Sequence, residues 1–417
     1  MRILFLSHTL GDAYGQERIM RDSSHLLQRE GHQVFFGADQ ITGALPAHDG
    51  YFCLPGMAGI GSLTSFKRVK AFEEDLFREV QKISPDLIHW VDLFDHRFMR
   101  RLSREYPSVM TAHTVAPTCP SSQRFIPAGG VCTQQSGWSC LITHEKQKCL
   151  SHFKSVFHRA HALFEFQLKK RVLKTFPTVI AISRYVQNCL LNEGWTKEQV
   201  PLVYNPVSIK PLSSPSLQNP PKNLLIVASR LVALKGIGPL LVNLSYLREE
   251  EWTLWIFGEG PLKPELQTLS EKLGLSQKIV FHGKQSPETV RQALSSARLL
   301  IQPNRGPEGF GMAVAEASAM GVPVVAYQVP ALDELIESET NGLLVPLSHP
   351  QGLSDAIRKL LKDNLLKNQL SERGPQFMKE RFSPENHLRR TLEAYQHCCQ
   401  QFTAKHSLAA SPLAMDC

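Results

Sequence analysis

The sequence predicts an α/β protein that is built from two parallel-sheet domains. The chain opens as a strand, a loop, a helix and a second strand, which is how a doubly wound sheet begins. The same alternation starts again after a Pro- and Ser-rich segment at residues 205–222, which is typical of a linker. A length of 417 residues is enough for two domains. We expect a cleft between these domains, lined by the carboxyl ends of the strands.

In the first half, short apolar runs predict the strands of one sheet. Residues 16–32 separate the first two runs, and their apolar positions recur at helical spacing. A long irregular segment at residues 117–150 interrupts the alternation, and loops of that length are often functional. The predicted strands are residues 2–6, 33–38, 86–91, 108–113 and 178–183.

The second half repeats the alternation more regularly. Its predicted strands are residues 223–229, 252–260, 278–283, 297–304, 321–327 and 342–346, and its predicted helices are residues 238–250, 265–274, 287–297 and 313–320. Near the end, Ser383 and Pro384 have the residue types that begin a helix. The predicted domains are residues 1–206 and 207–381, followed by a helix at 382–402 that packs back toward the first domain and a disordered tail at 403–417.

The composition indicates a globular protein without a membrane span. Apolar residues make up 42% and charged residues 20% of the chain, which is an ordinary balance for a soluble domain. The start, MRILFLSHTLGD, is too short in apolar residues for a secretory signal, and no run reaches about 18 apolar residues. We therefore expect a cytoplasmic protein.

The basic residues concentrate in the first half. Residues 1–206 hold 24 basic and 18 acidic residues, so +6 of the net charge of +8 lies there. The segment 153–176 has six Lys or Arg and one acid, including Lys169, Lys170 and Arg171. Such a segment is either an ordinary solvated helix face or a contact with an anionic membrane surface. No nucleic-acid-binding signature is present, so no nucleic-acid partner is expected.

The cysteines leave two interpretations open. Nine cysteines without a secretion signal favour reduced thiols over a disulfide framework. Four of them lie in one irregular segment, at wide spacings that lack the Cys-x-x-Cys pairs of most zinc sites: Cys119, Cys132, Cys140 and Cys149. Free thiols are therefore favoured over a metal site, and no metal or other cofactor is expected.

The segment RGPEGFGMAVAEASAM at residues 305–320 predicts an anion site with two carboxylates. A glycine-rich turn after a strand and before a helix offers free backbone N–H groups to a phosphate. Glu308 lies at this turn and Glu316 lies about two helical turns later, where carboxylates suit sugar and ribose hydroxyls. Arg230 and Lys235 follow another predicted strand and supply the cations that a diphosphate requires. The chain lacks Gly-x-Gly-x-x-Gly, which weakens a dehydrogenase interpretation.

These residues resemble those of the retaining GT-B glycosyltransferases of family 4. The resemblance rests on VASRLVALKG, FGEGP, PEGFGMAVAEASAMGVPVVAY and NGLLVP. It extends over about 222–400, is partial over 1–40 and 179–207, and is weak over 117–175. The sequence departs from the family at Val329 and Pro330, where small residues, commonly glycines, are usual.

The resemblance implies a fold, an activity and roles for particular residues. The fold would be two Rossmann-like domains facing each other across a cleft, with the acceptor on the N-terminal side. The activity would be transfer of a sugar from a nucleotide-diphosphate donor to a glycan, lipid-linked or small-molecule acceptor, with retention and without a metal. The implied roles are neutralisation of the diphosphate by Arg230 and Lys235, sugar binding by Glu308, ribose binding by Glu316, backbone contacts from Gly309, Phe310 and Gly311, approach of Gly15 to the diphosphate, and a position for His113 near the reacting sugar.

Several alternatives remain at the level of sequence. Glu308 could be a helix-dipole partner only, His113 could be a hydrogen-bonded core histidine, and Gly15 could simply form a turn. The whole protein could instead be a scaffold subunit that binds a sugar nucleotide without turnover. It could also be a nucleotide-sugar epimerase, or a phosphorylase-like enzyme, for which no cofactor-binding lysine pattern is seen.

Overall fold

A computed structural model describes residues 1–11, 15–43, 45–56, 66–126, 130–150, 155–208, 219–349 and 351–409. These residues form two six-stranded sheets in which all neighbouring strands are parallel. The predicted α/β class with two parallel sheets is therefore confirmed. The predicted linker lies largely outside the described residues, at 209–218.

The first sheet has the strand order β3-β2-β1-β4-β5-β6. Its central strand, β1, pairs with β2 on one side and with β4 on the other, so Ile3 lies between Val34 and Leu87. All three side chains are fully buried, as expected for a sheet that helices cover on both faces. The strands are β1 Arg2–Gly11, β2 Gln33–Thr42, β3 Gly50–Cys53, β4 Leu87–Trp90, β5 Ser108–Ala112 and β6 Thr178–Ala181.

Three helices of the first half begin at polar residues that cap them. Asp95, Ser155 and Ser183 each accept a hydrogen bond from a backbone N–H of the helix that follows. The helices are α1 Gly15–Arg29, α2 Phe66–Ile83, α3 His96–Glu105, α4 Ser139–Gln147, α5 Val156–Leu173 and α6 Arg184–Asn192, with a 3₁₀ turn at Ala116–Thr118. The interval 117–150, predicted to be irregular throughout, thus contains one helix.

The second sheet has the order β12-β11-β10-β7-β8-β9. Its strands are β7 Leu224–Ala228, β8 Thr253–Phe257, β9 Ile279–Gly283, β10 Leu299–Gln302, β11 Val324–Tyr327 and β12 Gly342–Val345. Its helices are α7 Ile237–Ser245, α8 Lys263–Lys272, α9 Pro287–Ser295, α10 Met312–Ala319, α11 Leu332–Leu335, α12 Gly352–Lys362 and α13 Asn364–Phe382, with 3₁₀ turns at Ala233–Lys235 and Ser276–Lys278. All six predicted strands of this half are present.

The chain divides into two compact units around these sheets. The first unit comprises residues 1–123, 134–206 and the chain from Pro384 onward, and the second comprises 124–133 and 207–383. The segment 124–133 therefore belongs to the second unit, although the sequence places it inside a domain at 1–206. Periodicity could not predict this because the segment is short and has neither helical nor strand spacing.

The terminal helix α14 runs from Pro384 to Ala409 and starts at the predicted proline. The predicted disorder is wrong for residues 403–409, which are helical. His406 Nε2 lies 3.0 Å from the carbonyl oxygen of Arg104, and the His406 ring packs against Phe402. These contacts hold the end of the helix in place. Residues 410–417 of the predicted tail lie outside the described residues.

Hydrogen bonds of two histidines fasten helix α14 within the first unit. His89 on β4 contacts the hydroxyl of Tyr395 at 2.6 Å and that of Thr111 at 2.7 Å. His387 of α14 contacts the Ser23 hydroxyl at 2.9 Å. Burial, together with the smaller effects of His113 and His387, lowers the pKa of His89 to about 3, so His89 is neutral in the folded protein.

We expect the first unit to lose stability as the pH falls below 6.5. The unfolded chain protonates His89 near its ordinary pKa of 6.5, whereas the folded protein keeps it neutral down to about pH 3. At pH 5 this difference costs about 2 kcal/mol of unfolding free energy, and above pH 6.5 it costs nothing. Denaturant unfolding at pH 7 and pH 5 should show a smaller pH dependence in His89→Gln than in the wild type. Equal pH dependence in both proteins would contradict this assignment.

Candidate functional site

Lys235 is positioned by the loop that follows β7. The loop ends in the 3₁₀ turn Ala233–Lys235, and Gly236 then adopts a positive φ of 67° before α7 begins. A Cβ atom at Gly236 would lie 2.0 Å from the carbonyl oxygen of Pro303, so only glycine fits. The Lys235 loop is therefore packed tightly against the loop that follows β10.

Glu308 lies in that second loop, between β10 and α10. The loop is tied to the Lys235 loop because the Arg305 N–H donates to the Leu234 carbonyl oxygen at 3.0 Å. It is tied to the segment after β11 because the Glu308 N–H donates to the Pro330 carbonyl oxygen at 3.2 Å. Since β7 and β10 are neighbours where the strand order reverses, both loops lie at the switch point where α/β proteins bind ligands.

Lys235 and Glu308 form a direct ion pair at this switch point. The Lys235 ammonium donates to Glu308 Oε1, and the side chains are only 11% and 17% exposed. The amides of Asn304 and Gln302 donate to the same oxygen at 2.6 and 3.3 Å. Gln302 also donates to Asn304 Oδ1 at 2.9 Å, and both amides are buried. The carboxylate is therefore oriented by one cation and two amides, more than a helix-dipole role requires.

The glycine-rich turn leads directly into α10. Gly311 is the N-cap with a φ of 109°, and a Cβ atom there would lie 2.8 Å from Leu332 Cδ2. Phe310 is 4% exposed and packs edge-on against Phe382, with ring centroids 5.6 Å apart. This buried contact fixes the position of the turn. Gly309 is half-buried. The first N–H groups of α10, as in any helix, have no acceptor within the helix.

Glu316 lies on α10, which follows the Glu308 loop, and Arg230 lies in the Lys235 loop. Glu316 lies on the half-buried side of α10, whose opposite face packs into the core through Val314, Ala315 and Ala317. Arg230 directly follows β7 and its side chain is exposed. The structure therefore brings Lys235 and Glu308 into contact and places Arg230 in the same loop as Lys235.

The departure at Val329 and Pro330 is compatible with this arrangement. Pro330 contacts Glu308 through its backbone carbonyl, which any residue supplies. Val329 is 1% exposed and fills the core, while Ala331 adopts a φ of 72° in place of a glycine. The loop keeps its hydrogen bond to Glu308 without the small residues that the family usually has.

The first unit holds a separate cavity of about 400 Å³ at its own switch point, between β1 and β4. Asp92, which follows β4, accepts hydrogen bonds from the Ser7 hydroxyl at 3.0 Å and the His8 N–H at 2.8 Å through one oxygen. Its other oxygen accepts from the Gln16 amide at 2.8 Å. His113 lines the same cavity at the end of β5.

His113 is a neutral group at the cavity wall. Burial lowers its pKa to about 4, and Asp92 opposes this shift only partly. A neutral imidazole has one donor and one acceptor nitrogen, so it suits a hydroxyl group of a ligand. Gly15, by contrast, starts α1 in open space, since a Cβ atom there would meet no atom within 4 Å. The surroundings of Gly15 therefore do not demand a glycine.

Helix α5 does not present the uniform basic face that the sequence suggests. Lys170 forms a direct ion pair with Glu193, and these side chains are only 11% and 1% exposed. Lys169 lines the cavity of the first unit, so of the three adjacent cations only Arg171 is fully exposed. Sequence could not anticipate this, because the partner of Lys170 lies on another helix. The exposed large apolar side chains of α5 are Val156, Phe157 and Phe164.

No metal site emerges from the described side chains. One group of potential ligands, Asp95, His96 and Glu165, has atoms within 4.8 Å of one another. The carboxylate of Asp95 is already engaged by Arg97, through Nε at 2.8 Å and Nη2 at 2.9 Å. The four clustered cysteines are half-buried and form no such group within the described ranges. Also within those ranges, no helix has both the length and the apolar composition to cross a bilayer.

Sequence reasoning missed the supporting residues of both sites. Asn304 and Gln302 lie at the end of a predicted strand, and Asp92 directly follows another, so strand-end position was an available signal. Gln16 had no such signal, because its role depends on the position of α1 against β4. Amide and carboxylate side chains at loop starts are common, which makes them hard to single out without coordinates.

Two parallel α/β sheets, each with polar side chains at its switch point, define a two-domain protein of the GT-B class. The family model described as Glycosyltransferase Family 4 matches residues 13–210, and the one described as Glycosyl transferases group 1 matches residues 209–377. Together they cover the chain from residue 13 to 377. The chain belongs to the group 1 glycosyltransferases with the GT-B fold.

Individual relatives agree with this family. An uncharacterized glycosyltransferase of Methanocaldococcus jannaschii is 28% identical over 48% of this chain and 54% of its own length. The lipopolysaccharide core biosynthesis glycosyltransferase LpsD of Rhizobium meliloti is 29% identical over 46% of this chain and 55% of its own length. The chain thus spans about half the length of these curated relatives. The crystal structure of Anabaena HepE in complex with UDP and glucose superposes with a TM-score of 0.67 at 18% identity, covering 94% of this chain and 99% of that one, which shows the shared fold.

Proposed function

We propose that this protein transfers a sugar from a nucleotide-diphosphate donor to a glycan, lipid-linked or small-molecule acceptor, in polysaccharide or glycoconjugate biosynthesis. The observation that supports this most is the cluster of Lys235, Glu308, Asn304 and Gln302 at the switch point of the second sheet. The likeness to LpsD supports a glycan acceptor, and the UDP named for HepE supports a nucleotide donor.

The second unit binds the donor in this proposal. Lys235 and the exposed Arg230 neutralise the diphosphate, and the positive dipole end at the start of α10 adds to the positive field. When the bond from sugar to phosphate breaks, negative charge grows on the leaving diphosphate. A cation already fixed beside it stabilises that charge without reorganisation, which is the largest effect available to such an enzyme.

Glu308 binds the sugar rather than the phosphate. Its carboxylate accepts hydrogen bonds from sugar hydroxyls, and Asn304 and Gln302 hold it in position. The ion pair with Lys235 links the sugar position to the diphosphate position. Gly309, Phe310 and Gly311 bring the backbone close to the donor, and Glu316 accepts the ribose hydroxyls.

The acceptor binds to the first unit in this proposal. Its cavity offers Asp92, held by three hydrogen bonds, and His113, a neutral imidazole suited to a sugar hydroxyl. Gly15 remains a predicted diphosphate contact on the resemblance alone. Retention of configuration and the absence of a required metal or cofactor also rest on the family resemblance.

Equilibrium binding of UDP, GDP and ADP, and of their hexose conjugates, tests the donor assignment. We expect one nucleotide to bind, and Arg230→Ala to weaken that binding about tenfold through loss of one charge contact to phosphate. A protein that binds a donor but never transfers the sugar is the scaffold alternative, and one that changes the sugar without an acceptor is the epimerase alternative. Failure to bind any sugar nucleotide would contradict the proposal.

We propose in addition that α5 contacts anionic membranes peripherally, through its exposed apolar side chains with Arg171 as an accessory cation. Phe157 is 70% and Phe164 46% exposed, which is unusual for phenylalanine. Lys170, engaged with Glu193, has no part in this contact.

In flotation with vesicles of phosphatidylcholine and phosphatidylglycerol, we expect the wild type to float with the vesicles. The variant Phe157→Ser/Phe164→Ser should remain in the bottom fraction, because it loses the apolar surface that enters the interface. Leu365→Ser, which removes an equally exposed apolar residue from α13, serves as the control and should float like the wild type. Equal flotation of all three proteins would rule out this contact.

A further inference from the structure

A short hairpin from the first half of the sequence packs within the second unit. Phe125 and Val131 form an antiparallel bridge, and the Cys132 N–H donates to the Arg124 carbonyl oxygen at 2.7 Å. The Ile126 N–H donates to the Gly130 carbonyl oxygen at 3.2 Å. These residues, with the rest of 124–133, belong to the same compact unit as residues 207–383.

Phe125 is the apolar anchor of this hairpin. Its side chain is only 8% exposed, and its ring lies against Gly306 in the loop between β10 and α10. A Cβ atom at Gly306 would lie 2.5 Å from Phe125 Cδ2 and 2.2 Å from Leu234 Cδ1. Because Gly306 has no side chain, Phe125 and Leu234 can both pack against its Cα atom.

These three residues adjoin the ion pair. Leu234 directly precedes Lys235, and Gly306 lies two residues before Glu308. The hydrogen bond from the Arg305 N–H to the Leu234 carbonyl oxygen also joins the two loops here. Phe125 thus packs at the junction of the two loops whose side chains form the Lys235–Glu308 pair.

We propose that Phe125 is a positioning residue for the Lys235–Glu308 pair, and that the paired segments 124–126 and 130–133 complete the donor site of the second unit. Without the ring, the space beside Gly306 opens, and a glycine loop relaxes readily into such space. The two loops then lose the packing that fixes the distance between cation and carboxylate. The catalytic part of this inference rests on the proposed function, whereas its structural part does not.

Hydrogen exchange tests the structural part without any donor. In Phe125→Ala, we expect the backbone amide hydrogens of Arg305 and Glu308 to exchange about tenfold faster than in the wild type. The amides of β7 and β10 should keep their protection against exchange. Phe125→Leu should restore most of the protection because it refills the space. Phe52→Ala in β3, where the phenylalanine is also 8% exposed, is the matched control and should leave these two amides unchanged.

Steady-state kinetics with the donor found by binding tests the catalytic part. We expect Phe125→Ala to lower kcat/KM for the donor about 10- to 100-fold with an unchanged KM for the acceptor, because small displacements in an active site are costly. Phe52→Ala should reduce activity only in proportion to the fraction unfolded. Unchanged exchange of the two loop amides in a folded Phe125→Ala protein would overturn the inference. Altered exchange in a protein that binds no sugar nucleotide would sustain the positioning and contradict the proposed function instead.

Discussion

Glu308→Gln is expected to lower turnover about 100- to 1000-fold while leaving the fold intact, as the loss of one fixed electrostatic contact does in other enzymes. Glutamine has the same shape and still accepts a hydrogen bond from Asn304, but it has no charge to pair with Lys235. The sugar hydroxyls then lose their strongest acceptor, and the cation loses its orientation.

The measurement for Glu308→Gln is kcat with a saturating donor, together with a denaturation curve. Glu193→Gln is the matched control, because Glu193 forms a similarly buried pair with Lys170 in the first unit. We expect this control to lose some stability and to keep its turnover. Loss of activity in both variants in proportion to stability would assign Glu308 a purely structural role.

Lys235→Met is expected to be at least as damaging. We expect kcat to fall about 1000-fold, because the cation that stabilises the leaving diphosphate is lost. Methionine keeps the unbranched apolar stem, so the 3₁₀ turn before Gly236 should persist. Nucleotide affinity should fall as well, since the proposed function has Lys235 contact the diphosphate both before and after the bond breaks. Lys170→Met is the corresponding control.

The double variant Lys235→Met/Glu308→Gln separates independent roles from a joint one. Residues in direct contact are not additive, so a pair that acts as a unit should lose little more in the double variant than in the worse single variant. Fully additive losses would show that the contact between these two side chains has no part in catalysis.

The fold was largely predictable because both halves repeat a strong local pattern. Strands β7 to β12 are short apolar runs bounded by glycine, proline or polar residues, and each was identified. Strand β3, at residues 50–53, was missed because it is short and lies at the sheet edge with Tyr51 half-exposed. The hairpin at 124–133 was missed because its place depends on a contact with Gly306, far away in sequence.

The candidate site was predictable only where chemistry and chain position coincide. Lys235 and Glu308 each follow a recognisable strand beside a glycine, so their proximity could be anticipated. Their direct contact, and the two amides that hold Glu308, required coordinates. The environment of Lys170 shows the converse, because a basic run that suggested a surface face contains a cation paired with the buried Glu193.

The predicted glycines likewise fall into those that the backbone conformation requires and those whose role depends on a ligand. Gly311 has a positive φ angle and a close neighbour, so its predicted importance has a physical cause, and Gly236 meets the same two conditions. Gly15 has neither, and its predicted role depends on a ligand rather than on the chain. A sequence pattern alone cannot distinguish these two reasons for a glycine.

The most direct test of a donor site at Lys235 and Glu308 is slow nucleotide release from UDP-, GDP- and ADP-sugars without acceptor, comparing the wild type with Glu308→Gln. We predict release of nucleotide from one donor by the wild type, because water replaces the acceptor slowly, and loss of that release in the variant. Equal release by both proteins would show that the reaction occurs elsewhere. No release and no binding for any donor would contradict the assignment of a sugar-nucleotide site.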